Sequence, residues 1–207
     1  GHTGFWDFKL RVDKRVLIPR PETELIVEKA LELGQRLDSK DAKVADLGTG
    51  SGAIAIALAR SNPGWHITAV DISEGALQLA QLNAQEQQAN NIEFSLASWC
   101  DGLAANQYDM IVANPPYVQL GDNHLEKGVL LFEPKIALIT DSAGLGSLRR
   151  IICQSKRVLK KDAWLLLEHG FNQQASLKAL LLKEGFDSVL GYKDYAGNDR
   201  MVCAHWS

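Results

Sequence analysis

Lys43-Val44-Ala45-Asp46-Leu47-Gly48-Thr49-Gly50-Ser51-Gly52-Ala53-Ile54-Ala55-Ile56-Ala57-Leu58-Ala59-Arg60 is the run whose reading decides the fold. Lys43 to Asp46 is a short strand, three alternate glycines make a tight turn, and Ala53 to Arg60 has the composition of a buried helix. That unit of strand, loop and helix repeats downstream. His66 to Asp71 reads as an apolar strand ending in an acid, and Ser73 is placed to cap a helix from Glu74 to about Gln85. Ile92 to Ala97 and Tyr108 to Ala113 read as further strands, Gly144 to Leu159 as helix, and Trp164 to Leu167 as a strand closed by Glu168. Ser176 to Glu184 follows as an amphipathic helix and Met201 to Trp206 as a last strand. Strands that alternate with helices predict an α/β fold, a doubly wound and mostly parallel sheet covered on both faces. Two stretches stand outside the alternation. Phe5 to Ile18, with Phe8, Leu10 and Val12 at alternate positions, suits a β-hairpin placed before the main sheet. Val118 to Thr140, after two prolines, lacks periodicity and reads as a long loop with short helical pieces.

Composition narrows the function. The chain has 207 residues, enough for one domain with a sizeable core, and 46% hydrophobic with 23% charged residues excludes disorder as its main state. A formal net charge of -3 speaks against a protein that holds nucleic acid by neutralising phosphates. No apolar run approaches the roughly 20 residues that cross a bilayer, so no membrane association is expected. Cys100, Cys153 and Cys203 are scattered without metal-ligand spacing, so no metal site is expected, and a reduced, cytoplasmic setting is the simplest reading. The chain opens on Gly1 rather than Met, and a piece of a longer protein is expected.

Gly48, Thr49, Gly50, Ser51 and Gly52 admit two readings, a tight turn or a cradle in which backbone N–H groups approach a ligand at a helix start. Their spacing differs from the dinucleotide fingerprint, and the Lys-Ser or Lys-Thr of a phosphate loop is missing. Asp71, at the tip of the next strand, can cap a helix or accept hydrogen bonds from both ribose hydroxyls of an adenosine. Loop and acid together fit an adenosine-containing cofactor, either a nicotinamide dinucleotide or S-adenosylmethionine.

Asn114-Pro115-Pro116-Tyr117 decides between them. It follows the fourth strand at the edge where such sheets bind ligands. Two prolines fix the backbone and remove two donors, so local carbonyls serve as acceptors. The Asn114 side-chain oxygen and the Pro115 carbonyl can each take one hydrogen of a substrate NH2 group, while Tyr117 offers a flat face to a planar amide or base. Held so, the nitrogen turns its lone pair toward a sulfonium methyl group, and no metal or strong base is required.

With these motifs the sequence resembles the class I S-adenosylmethionine-dependent methyltransferases, and more narrowly the bacterial peptide chain release factor glutamine methyltransferases. The resemblance is carried by Leu17-Ile18-Pro19-Arg20-Pro21-Glu22-Thr23-Glu24, Asp46 to Ile56, Ala69-Val70-Asp71-Ile72-Ser73, Asn114 to Tyr117, Phe132-Glu133-Pro134 with Ala137-Leu138, and Asp199-Arg200. It implies a Rossmann-like, seven-stranded sheet with a reversed last strand, which Met201 to Trp206 would supply. It implies that Gly48 to Gly52 and Asp71 hold the cofactor, that Trp99 packs near its adenine, and that Asn114 touches both cofactor and substrate. Asn114, Pro115, Pro116 and Tyr117 would bind the amide of a Gly-Gly-Gln motif, with class 1 release factors as protein partners and S-adenosylhomocysteine as product. By the resemblance, residues 1–24 would be a connector and hairpin, residues 25–207 the catalytic domain, and the family's N-terminal helical domain would lie outside these residues. Ser98 departs from the Asp that relatives often carry before this Trp.

Other residues are read both ways. Arg20 and Glu22 would line the site entrance or simply open a helix. Glu168 and His169 would form an acid/base pair, although a strand-end carboxylate capping the next segment is the more common arrangement. Phe5, Trp6 and Phe8 would be hairpin core or a partner surface, with core the commoner role. Two other functions remain in view: methylation of exocyclic amines in nucleic acid, to which Asn-Pro-Pro-Tyr is equally suited, and a non-catalytic S-adenosylmethionine-binding module, against which an intact amine cradle argues.

Overall fold

The computed structural model describes residues 1–37, 41–119, 139–140 and 145–207. Its first strands, β1 (His2–Phe5) and β2 (Phe8–Arg11), form an antiparallel hairpin in which Phe5 opposes Phe8. The predicted hairpin therefore exists but ends by Arg11. Val12 still exchanges hydrogen bonds with Gly1, but the chain beyond it cannot continue the ladder, because the Asp13 carbonyl accepts the Val16 N–H in a turn, and Pro19 and Pro21 have no N–H to donate. Phe5 and Phe8 are buried in the core, which settles their role. A 3-10 turn, Pro21–Thr23, leads into α1 (Glu24–Gly34), whose Leu25, Ile26, Ala30 and Leu33 face inward. Glu24 also accepts the Trp6 N–H at 2.8 Å and so ties hairpin to helix.

The alternation then runs as the periodicity predicts: β3 (Lys43–Leu47), α2 (Ala53–Ser61), β4 (His66–Asp71), α3 (Glu74–Glu86), β5 (Ile92–Leu96) and β6 (Tyr108–Ala113). Ser73 caps α3 by accepting the Ala76 N–H. Of the loop reading for Val118 to Thr140, only β7 (Val118–Gln119) and β8 (Ile139–Thr140) are described, a two-residue parallel pair; Phe132, Glu133, Pro134, Ala137 and Leu138 lie outside the described residues. The chain continues with α4 (Gly146–Val158), β9 (Leu159–Glu168), α5 (Gln174–Lys183), β10 (Asp187–Lys193) and β11 (Asp199–Trp206).

Seven strands form the sheet in the order β10-β11-β9-β6-β3-β4-β5. β11 runs antiparallel to both neighbours and is the reversed last strand, while β9, β6, β3, β4 and β5 are parallel. Central strands are buried on both faces, so successive residues enter opposite cores. Met110 and Val112 pack with α1 and α2, whereas Ile111 and Ala113 pack with α4 and α5. Strand β10 was not legible as a strand because it is the exposed edge, with three of its seven positions partly buried, none fully, and a glycine at 191.

Strand order reverses between β3 and β6, and a crevice opens there at the carboxyl edge. Register aligns the site. Leu47 pairs with Val70 and with Ala113, and Ala113 pairs with Leu167. Consequently Gly48, Asp71, Asn114 and Glu168 leave the sheet at one level. Behind the crevice, Asn83 of α3 is almost fully buried and donates to the carbonyls of Ser51, at 2.8 Å, and Arg11, at 3.1 Å, while accepting the Arg11 N–H at 2.9 Å.

Candidate active site

A cavity of about 310 Å³ lies over this edge, lined among others by Gly48 to Ser51, Asp71, Trp99 and Asn114. Its volume is at the lower end of the range for small-molecule sites. Gly48, Gly50 and Gly52 have φ of 75°, 56° and 85°, a region that side chains resist, so three glycines are needed for the loop to turn this sharply. Gly48 is also packed: a Cβ there would come 3.2 Å from the Trp99 ring. Gly48 and Thr49 both donate to the Val70 carbonyl, which pins the loop on β4.

Two acids hold the loop. Asp71 accepts the Gly50 N–H on Oδ2 and the Ser73 N–H on Oδ1, each at 2.9 Å. A carboxylate has about four acceptor positions, so each oxygen keeps capacity toward the cavity. Asp46 lies beneath the loop, where its Oδ2 accepts the Thr49 hydroxyl at 2.6 Å and the Ala55 N–H at 3.2 Å. It substitutes for the missing cap of α2, whose N-cap residue is Gly52. Burial pushes the Asp46 carboxyl up to about 7, against the hydrogen bonds from Thr49 and Ala55.

On the other side of the cavity the Asn-Pro-Pro-Tyr turn is held at both ends. Asn114 Nδ2 donates to Thr23 Oγ1 at 3.0 Å. The Tyr117 hydroxyl donates to Glu168 Oε1 at 3.2 Å, and the Tyr117 carbonyl accepts from Gln173 Nε2 at 3.2 Å. Asn114 and Pro116 face the cavity, whereas Pro115 and Tyr117 do not line it. Arg200 stands close to Tyr117 and Glu168 and is itself anchored on buried Asp194, Nε and Nη2 reaching its Oδ2 at 3.2 and 3.1 Å. Asp194 Oδ1 takes the Ala196 and Asn198 N–H groups, which shapes the turn into β11.

Glu168 is neither a helix cap nor half of an acid/base pair. It is 1% exposed, and α5 has no side-chain cap at its start. Burial raises its carboxyl to about 7, opposed by hydrogen bonding from Thr23, the charge of Arg200 and the Tyr117 hydroxyl. His169 points elsewhere: its Nδ1 contacts the Gly170 carbonyl at 2.9 Å and burial lowers its pKa, so the ring is neutral. Because Glu168 is raised, the native state binds its proton more tightly than the unfolded chain does. The stability this group contributes is complete below its ordinary value of 4.5 and is lost as pH rises through about 7. Glu168→Gln is therefore expected to gain melting temperature relative to the parent between pH 5 and pH 8, with Asp46 common to both proteins. Thermal denaturation at the two pH values checks this; an unchanged difference would refute it.

The structure brings Gly48, Thr49, Gly50, Ser51, Asp71, Trp99 and Asn114 to one cavity, with Ser98 on its wall too, whereas Gly52 does not line it. Arg20 and Glu22 do not line it. What residue-by-residue reading left unassigned is Thr23, Arg200 and Asp194. The first two lie in quoted motifs, but only the fold shows what they touch. Cys100 and Cys203 are buried thiols pushed up to about 12 by desolvation, which makes them inert. Among the described residues no cluster of three or more His, Cys, Asp or Glu is placed to hold a metal, and no helix is long and apolar enough to cross a membrane.

Residues 26–134 match the family model described as the methyltransferase small domain. The release factor glutamine methyltransferase of Pseudomonas aeruginosa is 45% identical over 207 residues, covering 100% of this chain and 74% of that protein. Its counterpart from Salmonella typhimurium is 41% identical over 203 residues, covering 98% and 72%. Among solved structures, the release factor-specific protein-(glutamine-N5) methyltransferase of Alicyclobacillus acidocaldarius superposes with a TM-score of 0.55 at 28% identity, over 96% of this chain and 99% of that one.

Proposed function

We propose how the site works from the premise its relatives establish: this chain belongs to the release factor glutamine methyltransferase family. It transfers a methyl group from S-adenosylmethionine to the side-chain amide nitrogen of the Gln in the Gly-Gly-Gln motif of peptide chain release factors. The cofactor supplies the methyl group as an electrophile on a sulfonium centre. The residues fit it: a loop of three positive-φ glycines, a carboxylate with unused acceptor capacity at Asp71, and the Trp99 ring against Gly48 surround one cavity. The Gly48 to Gly52 loop, through the close backbone approach its glycines allow, and the Asp71 carboxylate would hold the cofactor, with Trp99 flanking the adenine.

An amide nitrogen is a poor nucleophile because its lone pair is shared with the carbonyl. The task of the protein is to orient it. Asn114 Oδ1 would accept one substrate N–H and the Pro115 carbonyl, in the turn beside the cavity rather than on its wall, the other, which favours a pyramidal nitrogen with its lone pair toward the methyl group. Positioning of this kind supplies about 7–11 kcal/mol in favourable systems. Transfer would form the N–C bond as the methyl–sulfur bond breaks, leaving S-adenosylhomocysteine, and the nitrogen, by then acidic, would release its proton without a strong base. The observation that carries this reading is the Asn114 amide at the cavity wall, tied by its NH2 group to Thr23 so that its oxygen is the atom left to meet an N–H donor.

Incubation with radiolabelled S-adenosylmethionine and, separately, a class 1 release factor, ribosomal RNA and duplex DNA tests the reading. Label is expected in the release factor alone. Label in nucleic acid and none in the release factor would overturn it.

A further inference from the structure

Asn114 serves as an acceptor only if its amide faces one way round. Half a turn about its last bond would aim NH2 at the substrate NH2, and neither could accept. Something must hold the amide. Its Nδ2 donates to Thr23 Oγ1 at 3.0 Å, and Thr23, 3% exposed, ends a 3-10 turn that is 91 positions away in sequence. A hydroxyl can donate or accept, so Thr23 alone does not choose the orientation. Glu168 makes that choice. Thr23 lies close enough to this buried carboxyl to hold its pKa down, and Glu168 Oε2 has no hydrogen-bond partner among the described residues, so a Thr23 hydroxyl turned to the ionised group keeps only lone pairs for Asn114. Glu168 Oε1 also receives the Tyr117 hydroxyl, so both ends of the turn are referred to one side chain. Register places it there, since Ala113 and Leu167 are paired and the residues that follow them emerge together.

We propose that Thr23 is a positioning residue: backed by Glu168, its hydroxyl fixes the Asn114 amide with the carbonyl oxygen toward the methyl acceptor. This rests on the glutamine-methylation reading and adds to it a residue that acts through Asn114.

The test uses the full chain with a release factor. Thr23→Val keeps the shape and deletes the hydroxyl; kcat is expected to fall about tenfold or more, while cofactor affinity by calorimetry stays within about twofold. Thr23→Ser is expected to restore most of the rate. Because Thr23 acts through Asn114, the double variant Thr23→Val/Asn114→Ala should be no slower than Asn114→Ala. Glu168→Gln gives a second reading if Thr23→Val folds poorly, and should lower kcat with cofactor affinity retained. Parental kcat in either variant, or losses that add fully in the double variant, overturns the proposal. A parent protein that labels nucleic acid and not the release factor overturns the underlying reading instead, so the two failures are distinct.

Discussion

Asn114→Ala is expected to lower the turnover of release factor methylation by about 10²–10³-fold, in line with the loss of one preorganised transition-state contact. The acceptor is worth most when the substrate nitrogen is leaving planarity, so the loss falls on kcat more than on binding. The fold should survive. Asn114 gives up one hydrogen bond, to Thr23, at a typical net cost of about 0.5–1.5 kcal/mol, and the backbone it leaves is fixed by β6 on one side and two prolines on the other. Single-turnover kinetics beside a melting curve separate the two effects. Unchanged turnover in a folded variant would remove Asn114 from the mechanism.

The second large effect is on the cofactor. Asp71→Ala removes the acceptor for Gly50 and Ser73 and the oxygens offered to the ribose. Hydrogen bonds to a charged group contribute about 1.5–3 kcal/mol each, so the affinity for S-adenosylmethionine should weaken about 10–150-fold for one lost contact and further if the loop relaxes. Titration calorimetry measures it directly. An affinity within about twofold of the parent would show that the loop holds the cofactor without this carboxylate, against the charge-assisted bonds assigned to it.

These two residues were legible in the sequence, and the reason is local. A glycine loop joining strand to helix, and an acid or a Pro-Pro turn at a strand end, keep their meaning within a few residues of chain. Helix α3 and its Ser73 cap were readable on the same grounds. What was not readable depends on pairing between distant segments. Glu168 looks like a capping acid in sequence, and only the register of β6 against β9 turns it toward Tyr117 and Thr23. Thr23 sits among prolines and acids that draw attention first, yet it is the member of its turn that faces the cavity. Strand β10 escaped because an exposed edge does not need the apolar run that marks a central strand.

Asn83 bears on how the protein can be cut and transplanted. Its side chain uses both N–H donors and its oxygen, spanning the hairpin backbone at Arg11 and the glycine loop at Ser51. A shortened chain that starts at residue 25 would strip Asn83 of the Arg11 contacts and expose Leu33 and other residues that pack in one core with Phe5, Phe8 and Leu10. Each buried polar group left unmatched costs about 1–3 kcal/mol. The smallest transplantable cofactor-binding piece therefore carries the hairpin with it, although the hairpin lends no atom to the cavity.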